Sequence, residues 1–257
     1  MSRRIIVIGA ILFFSLGVIV VALAAAFPVG HTALASQSAM TSGNGAPEPL
    51  LCNGAAVEFE SGIPSDWTVV DNEIPISGPS VYWLVTGGNG YNGVPPDCGE
   101  GNYTDQGIGQ AACASSRVYG LLVNRNYDTE LRTQAFSLQN TSAVTLTYWA
   151  HYQNFSANDF FDLDISTTGG SSWDNLLNWN EDHPDNGQIY NPPGVTVTVS
   201  LNQYVEENNV ILRWRYYNHS TQPLINDLYA QVDQVALACD VLVPENTYLY
   251  LPVLPKP

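Results

Sequence analysis

The run V-T-L-T-Y-W-A-H-Y, Val144 to Tyr152, decides the architecture. Val144, Leu146, Tyr148, Ala150 and Tyr152 fall on one side of an extended chain, and Thr145, Thr147, Trp149 and His151 fall on the other. Side chains alternate across a strand with period two, so this stretch has one apolar and one polar face. The pattern recurs outward from it. Phe161, Leu163 and Ile165 alternate with Asp162, Asp164 and Ser166; Leu212, Trp214 and Tyr216 alternate with Arg213, Arg215 and Tyr217. One apolar face per strand is the mark of antiparallel sheets packed face to face, each with one side towards solvent. Strands are predicted over 56–60, 67–70, 81–85, 118–123, 130–138, 143–153, 160–167, 195–201, 209–218 and 229–239, and no window carries a helical period. Gly169-Gly170 follows one of them as a tight-turn signal. The expected fold is an all-β, antiparallel jelly-roll β-sandwich.

Composition agrees. Of 257 residues only 12% are charged, while 45% are hydrophobic, and fourteen Tyr and six Trp stand against two Met. That is a β-rich, exported balance. The net charge of −16 excludes a nucleic-acid surface, which needs clustered Lys and Arg. Most of the acids serve solubility, and a few could gather around a hard cation such as calcium.

Arg3 and Arg4 precede Ile5 to Phe27, which carry no charge and suffice for one membrane helix of about 20 residues. Ala33-Leu34-Ala35 is a small-residue site of the kind signal peptidase accepts. Residues 1–35 are therefore a signal peptide or an N-terminal hydrophobic anchor, and both place the rest outside. Residues 36–49 form a polar linker, 50–242 the sandwich domain and 243–257 a Tyr-Leu-Pro tail. Two long excursions, 87–112 and 181–193, interrupt the strands; loops of that length are usually functional or disordered.

Four cysteines in an exported chain imply two disulfides, with three pairings open. Cys98–Cys113, closing the first excursion, together with Cys52–Cys239 is the preferred set. The second bridge requires the first and last strands to lie side by side.

Further strings carry a resemblance: F-E-S-G-I-P-S-D-W (Phe59 to Trp67), L-R-T (Leu131 to Thr133), L-D-I-S-T-T-G-G-S-S-W (Leu163 to Trp173), L-R-W-R-Y (Leu212 to Tyr216) and V-D-Q-V (Val232 to Val235). In this order they resemble the MAM-like jelly-roll domains, including the choice-of-anchor J and cleaved-adhesin types. The MAM-type domain of immune-inhibitor-A metallopeptidases is similar too. The resemblance spans Cys52 to Cys239, and no H-E-x-x-H or peptidase domain accompanies it. It implies a structural calcium near the first and last strands, where Glu60 and Asp233 would meet.

Three groups of side chains are candidates. Asp233 shares a strand face with Val235 and Leu237, so a buried carboxylate there needs a partner. Calcium, with Asp128 as a further ligand, is one partner; backbone N–H groups or an arginine are the other. Trp149, His151, Arg213, Arg215 and Tyr217 would line one face if their strands share a sheet. Aromatic planes stack on sugars and Arg binds hydroxyl or carboxylate groups, so such a face is a glycan platform. Ordinary strand decoration is the alternative for any one of them. Trp83, Trp179 and Tyr91 are lesser candidates. Asp162 and Asp164 sit two apart like glycosidase carboxylates, but a solvated strand face explains them better. No nucleophile elbow, P-loop or dinucleotide fingerprint is present.

These readings converge on a non-catalytic cell-surface adhesion module that binds a glycan. A protein-interaction domain, with a cell-surface or matrix protein as partner, is the alternative, and a glycoside hydrolase a distant one. Membrane contact would come only through an uncleaved N-terminus.

Overall fold

In the computed structural model the described residues form ten strands. They are β1 (Thr68–Asp71), β2 (Leu84–Val85), β3 (Ala112–Ala114), β4 (Asp128–Arg132), β5 (Thr141–Gln153), β6 (Asp159–Ser166), β7 (Asp174–Trp179), β8 (Val195–Ser200), β9 (Ile211–Asn218) and β10 (Tyr229–Val241). The structure describes residues 50–72, 81–87, 101–105, 107–116, 126–154, 158–184, 192–218 and 229–242. These belong to one compact unit, Asn44–Pro257. The N-terminal segment, the whole linker, the predicted strand at 118–123, Tyr91 and the tail lie outside them.

The long alternating runs appear as read, at β5, β6, β8, β9 and β10. The weak ones shift. Residues 56–60 contribute a single bridge, Val57 to Val235, and the predicted strand at 130–138 stops at Arg132, with only Phe136 bridging Val210. β3 and β7 escape period-two reading for separate reasons. β3 is Ala-Cys-Ala, buried on both faces. β7 carries a bulge: Leu176 has no partner between the Asn175–Asp164 and Leu177–Leu163 pairs, and an extra residue inverts the alternation.

Two five-stranded sheets result, in the orders β2-β3-β10-β5-β8 and β1-β4-β9-β6-β7, with every strand pairing antiparallel. From β3 onward the chain changes sheet at each connection except the β6–β7 hairpin. That alternation is the strand order of a jelly roll, with β1 and β2 added at the edges.

The core lies between the sheets and is heavily aromatic: Phe59, Trp83, Tyr127, Tyr148, Tyr152, Trp214 and Tyr216 are all fully buried. The segment Phe59 to Trp67 enters this core twice. Phe59 points in, the chain reverses at Gly62, whose amide bonds the Phe59 carbonyl at 2.9 Å, and Trp67 returns to meet Phe59 edge-on at 5.7 Å. Gly62 sits at φ +106°, where a side chain is strained although a Cβ would meet nothing.

Cys52 and Cys239 are joined, with Cα atoms 5.4 Å apart. The first described segment does lie beside the last strand: Cys52 bridges Leu237, and the Asn53 side chain bonds both the amide and the carbonyl of Cys239, at 2.9 and 2.7 Å. Cys113 is also disulfide-bonded. Cys98 lies outside the described residues.

Candidate functional site

The outer face of the β1-β4-β9-β6-β7 sheet collects most of the molecule's chemistry. Alternation in β4 turns Leu131 into the core and leaves Asp128, Glu130 and Arg132 outside; β9 presents Arg213, Arg215 and Tyr217; β6 presents Phe160, Asp162 and Asp164. Register then brings unlike charges together. Arg132, Arg213 and Asp164 lie in one row across the three strands, Glu130, Arg215 and Asp162 in the next, and Asp128, Tyr217 and Phe160 in the third.

Bonds run along and across these rows. Arg213 Nε donates to Asp164 at 2.8 Å and its Nη1 to Glu130 at 2.9 Å. Glu130 also accepts from Arg132 Nε at 2.5 Å and from the Asn72 amide at 2.8 Å. Arg215 grips Asp128 with two bonds, 2.8 and 2.6 Å, a bidentate geometry that adds direction to charge. That hydrogen bond, ahead of any other influence, pushes the Arg215 pKa up. Asp162 has no such arginine. It accepts from the Asn178 amide at 2.6 Å and the Tyr217 hydroxyl at 3.0 Å. Burial first, then the neighbouring Asp164 charge, raises its pKa, and burial likewise raises that of Tyr217.

Aromatic rings bracket this lattice. Trp173, at the end of the Gly169-Gly170 turn, lies under the guanidinium groups of Arg213 at 4.2 Å and Arg132 at 5.2 Å. Both glycines take positive φ, as the tight turn demands, and a Cβ on Gly170 would come within 3.6 Å of the Trp173 ring. At the other end Arg215 lies 4.3 Å from the Tyr217 ring, and Phe160 stacks on Tyr217 at 5.3 Å. Four residues of strand separate Arg213 from Tyr217, so the two aromatic ends stand roughly 13 Å apart. Rings with cations between them can stack on a flat apolar face while donating to hydroxyl or carboxylate oxygens.

The structure brings together three of the five residues expected on one face. Arg213, Arg215 and Tyr217 do share a face, but Trp149 and His151 belong to β5, in the opposite sheet. The regular crossing of the chain between sheets is the reason. On that other sheet Trp149 is half-buried, and His151 is fully buried, stacked on Tyr229 at 5.4 Å with Tyr103 at 5.8 Å. Asp162 and Asp164 are not a solvated face: they are 6% and 3% exposed under their Asn, Tyr and Arg partners. Trp83 is core, and Trp179 is half-buried against His183. Trp173, Phe160, Glu130 and Arg132 received no role from sequence. The alternation of D-T-E-L-R at Asp128 to Arg132 carried the signal for two of them.

The expected calcium ligands divide in the same way. Asp128 is committed to Arg215 on this face and cannot join Asp233. Glu60 and Asp233 both meet the segment 101–110: Glu60 accepts from the Gln110 amide at 3.0 Å. Asp233 accepts from the Asn102 side chain at 2.8 Å, the Thr104 hydroxyl at 3.3 Å and the Gln234 amide at 2.8 Å. Asp233 is thus satisfied by N–H and O–H donors, while Asn102 Oδ1, the Ile108 carbonyl and Asp105 Oδ2 are nearby oxygens of the type calcium takes. Among the described residues, though, no three carboxylate, His or Cys groups cluster as a metal site.

Burial pushes the Asp233 carboxyl from 3.8 up to about 6, against the lowering effect of its Asn102, Gln234 and Thr104 bonds, and the nearby Glu58 charge adds to the rise. The folded state thus holds this proton more tightly than the unfolded chain. Its contribution to stability is complete below about pH 4 and is lost as pH rises through about 6. Between pH 5 and 7.5 the loss of this one contribution is expected to cost on the order of 1 kcal/mol of stability. Urea unfolding at both pH values, on the wild type and on Asp233→Asn, checks it: the variant should lose that part of the pH dependence. An equal slope in both proteins would remove Asp233 as its source.

No family model matches the chain, and no curated protein matches it. Among solved structures it is similar to the K1 cleaved adhesin domain of Lys-gingipain from Porphyromonas gingivalis W83, with 20% identity over 72% of this chain and 97% of that one, at a TM-score of 0.47. A family 61 carbohydrate-binding module in complex with β-1,4-galactotriose gives 12% identity over 71% and 94%, at 0.40. A family 28 module specific for non-crystalline cellulose gives 10% over 75% and 97%, also at 0.40. Likeness of this degree carries no argument about ligand or activity.

Proposed function

We propose that the chain is an exported, non-catalytic adhesion module, MAM-like in descent, that holds a glycan on the outer face of the β1-β4-β9-β6-β7 sheet. The observation that carries this reading is Trp173 under Arg132 and Arg213, set in one row system with Arg215, Tyr217 and Phe160. Trp173 and Phe160 supply stacking surface; Arg132 and Arg215, each about one-quarter exposed, supply donors to hydroxyl or carboxylate groups. The Cys52–Cys239 disulfide supports an oxidising, extracellular setting. A carboxylate pair committed to Asn, Tyr and Arg partners argues against hydrolysis, which needs one acid free to meet the glycosidic oxygen.

Calcium belongs to the same proposal in a structural role, with Glu60, Asp233 and carbonyl oxygens of 101–105 and 107–110 as its holders. Bound there, it would keep Asp233 ionised. Added calcium should then raise the melting temperature at pH 7.5 and abolish the gain on acidification; no shift would remove the ion.

The experiment for the function is a glycan panel probed with the Asn44–Pro257 unit, followed by calorimetry on the best ligand. Trp173→Ala is expected to weaken binding about tenfold or more, because an aromatic platform is worth at least a kcal/mol or so. Trp149→Ala, on the other sheet, should leave it unchanged. Silence across the panel, or equal effects of both variants, would overturn the assignment.

A further inference from the structure

Sheet edges expose unpaired main-chain groups, and proteins blunt them with charge, bulges or brevity. Three of the four edges here carry such a device. β2 is two residues long, and β1 is four and ends on Asp71. β7 opens with Asp174 and bulges at Leu176. β8 has none of them. Val195–Ser200 reads V-T-V-T-V-S: no charge, no proline, and no register shift against β5. Thr196, Thr198 and Ser200 are exposed, and among the described residues no strand pairs with its outer side.

We propose that β8 is a strand-addition edge, and that its partner is β8 of a second copy of this chain. The sequence is its own complement. Val195 to Val199 is a palindrome, so antiparallel pairing about Val197 sets Thr196 against Thr198 and Val195 against Val199 of the other copy. Opposed residues in an antiparallel pair share a face. The valines therefore extend the inner face of the sheet, while Thr196, Thr198 and Ser200 lie on the outer face, opposite Trp149, Thr147 and Thr145 of β5. A partner strand of arbitrary sequence would have no reason to match this order in both directions. β-Branched residues opposite one another are also favoured cross-strand pairs.

The consequence reaches function. Antiparallel edge pairing has its two-fold axis normal to the sheet, so equivalent faces of both copies point the same way. On the glycan reading proposed above, both Trp173 faces would address one surface, and binding to a multivalent ligand gains from effective concentration.

The test uses the Asn44–Pro257 unit, which holds every core residue. Sedimentation equilibrium from about 10 µM to about 1 mM spans the range expected of a small interface. A monomer–dimer equilibrium is expected, strengthened by salt because like net charges are screened. Thr196→Lys with Thr198→Lys should shift it at least tenfold towards monomer with an unchanged far-UV spectrum; Thr68→Lys, on the β1 edge, should not. A nitroxide at Ser200→Cys should report about 20 Å across the axis, six residues of strand rise. A monomer at every concentration, a dimer indifferent to the lysines, or a clearly different distance would each overturn the proposal. Glycan binding by a monomeric variant would separate its failure from that of the site.

Discussion

Replacing Cys52 and Cys239 together by serine is expected to lower the unfolding free energy by about 5 kcal/mol, the loop-closure value for a bridge spanning 187 residues. That figure is an upper bound. Asn53 bonds both main-chain groups of Cys239, and its own amide bonds the Leu237 carbonyl at 2.8 Å, so the first segment stays docked in the folded variant. The loss then comes from the unfolded state, which regains the freedom the crosslink removes. A domain with only ~5–15 kcal/mol to lose would be left near its threshold. Urea unfolding should show a lower midpoint and a slope m that changes little or rises, since a chain freed of the link exposes more surface. A loss below about 1 kcal/mol would mean that the crosslink restricts the unfolded chain far less than loop closure over 187 residues requires.

What the sequence showed, and what it hid, follows from the range of the interactions. Alternation is local, so β5, β6 and β9 declared both their existence and their faces. It also assigned Arg213, Arg215 and Tyr217 outward without any tertiary knowledge. Which sheet a strand joins is not local, and His151 and Arg213 were grouped by character although the chain carries them to opposite sides of the sandwich. The jelly-roll rule of alternate sheets would have separated them. β7 was invisible because one bulged residue, Leu176, reverses its pattern. Asp162 and Asp164 read as solvated because nothing in F-F-D-L-D tells where Tyr217, Asn175 and Asn178 will come to rest. Trp173 was quoted as part of a string, yet its place under two arginines depends on a turn at Gly169-Gly170 and on pairs 40 residues apart.

Trp214→Ala is expected to cost about 4 kcal/mol, in the range for deleting a buried aromatic side chain. Position explains why this indole stands above the other core rings. It comes from β9 in one sheet, takes the edge of Tyr148 from β5 in the other at 5.4 Å, and stacks on Trp67 at 5.7 Å with the rings 7° from parallel. Three separate parts of the chain therefore close on one side chain: both sheets and the Phe59 to Trp67 turn. An alanine leaves a cavity that neither sheet can collapse into, because each is fixed by its own ladder. The coupling can be isolated. In a cycle with Trp67→Ala the two losses should fall short of additivity by about 0.5–1.5 kcal/mol, the share carried by the stack. Strict additivity would show that Trp67 is held by Phe59 alone and that the turn docks independently of β9. A deficit of the expected size would make the turn and the sandwich one cooperative unit. In that case the nine residues from Phe59 to Trp67 are part of the core itself, which is why so short a string could carry so much of the fold.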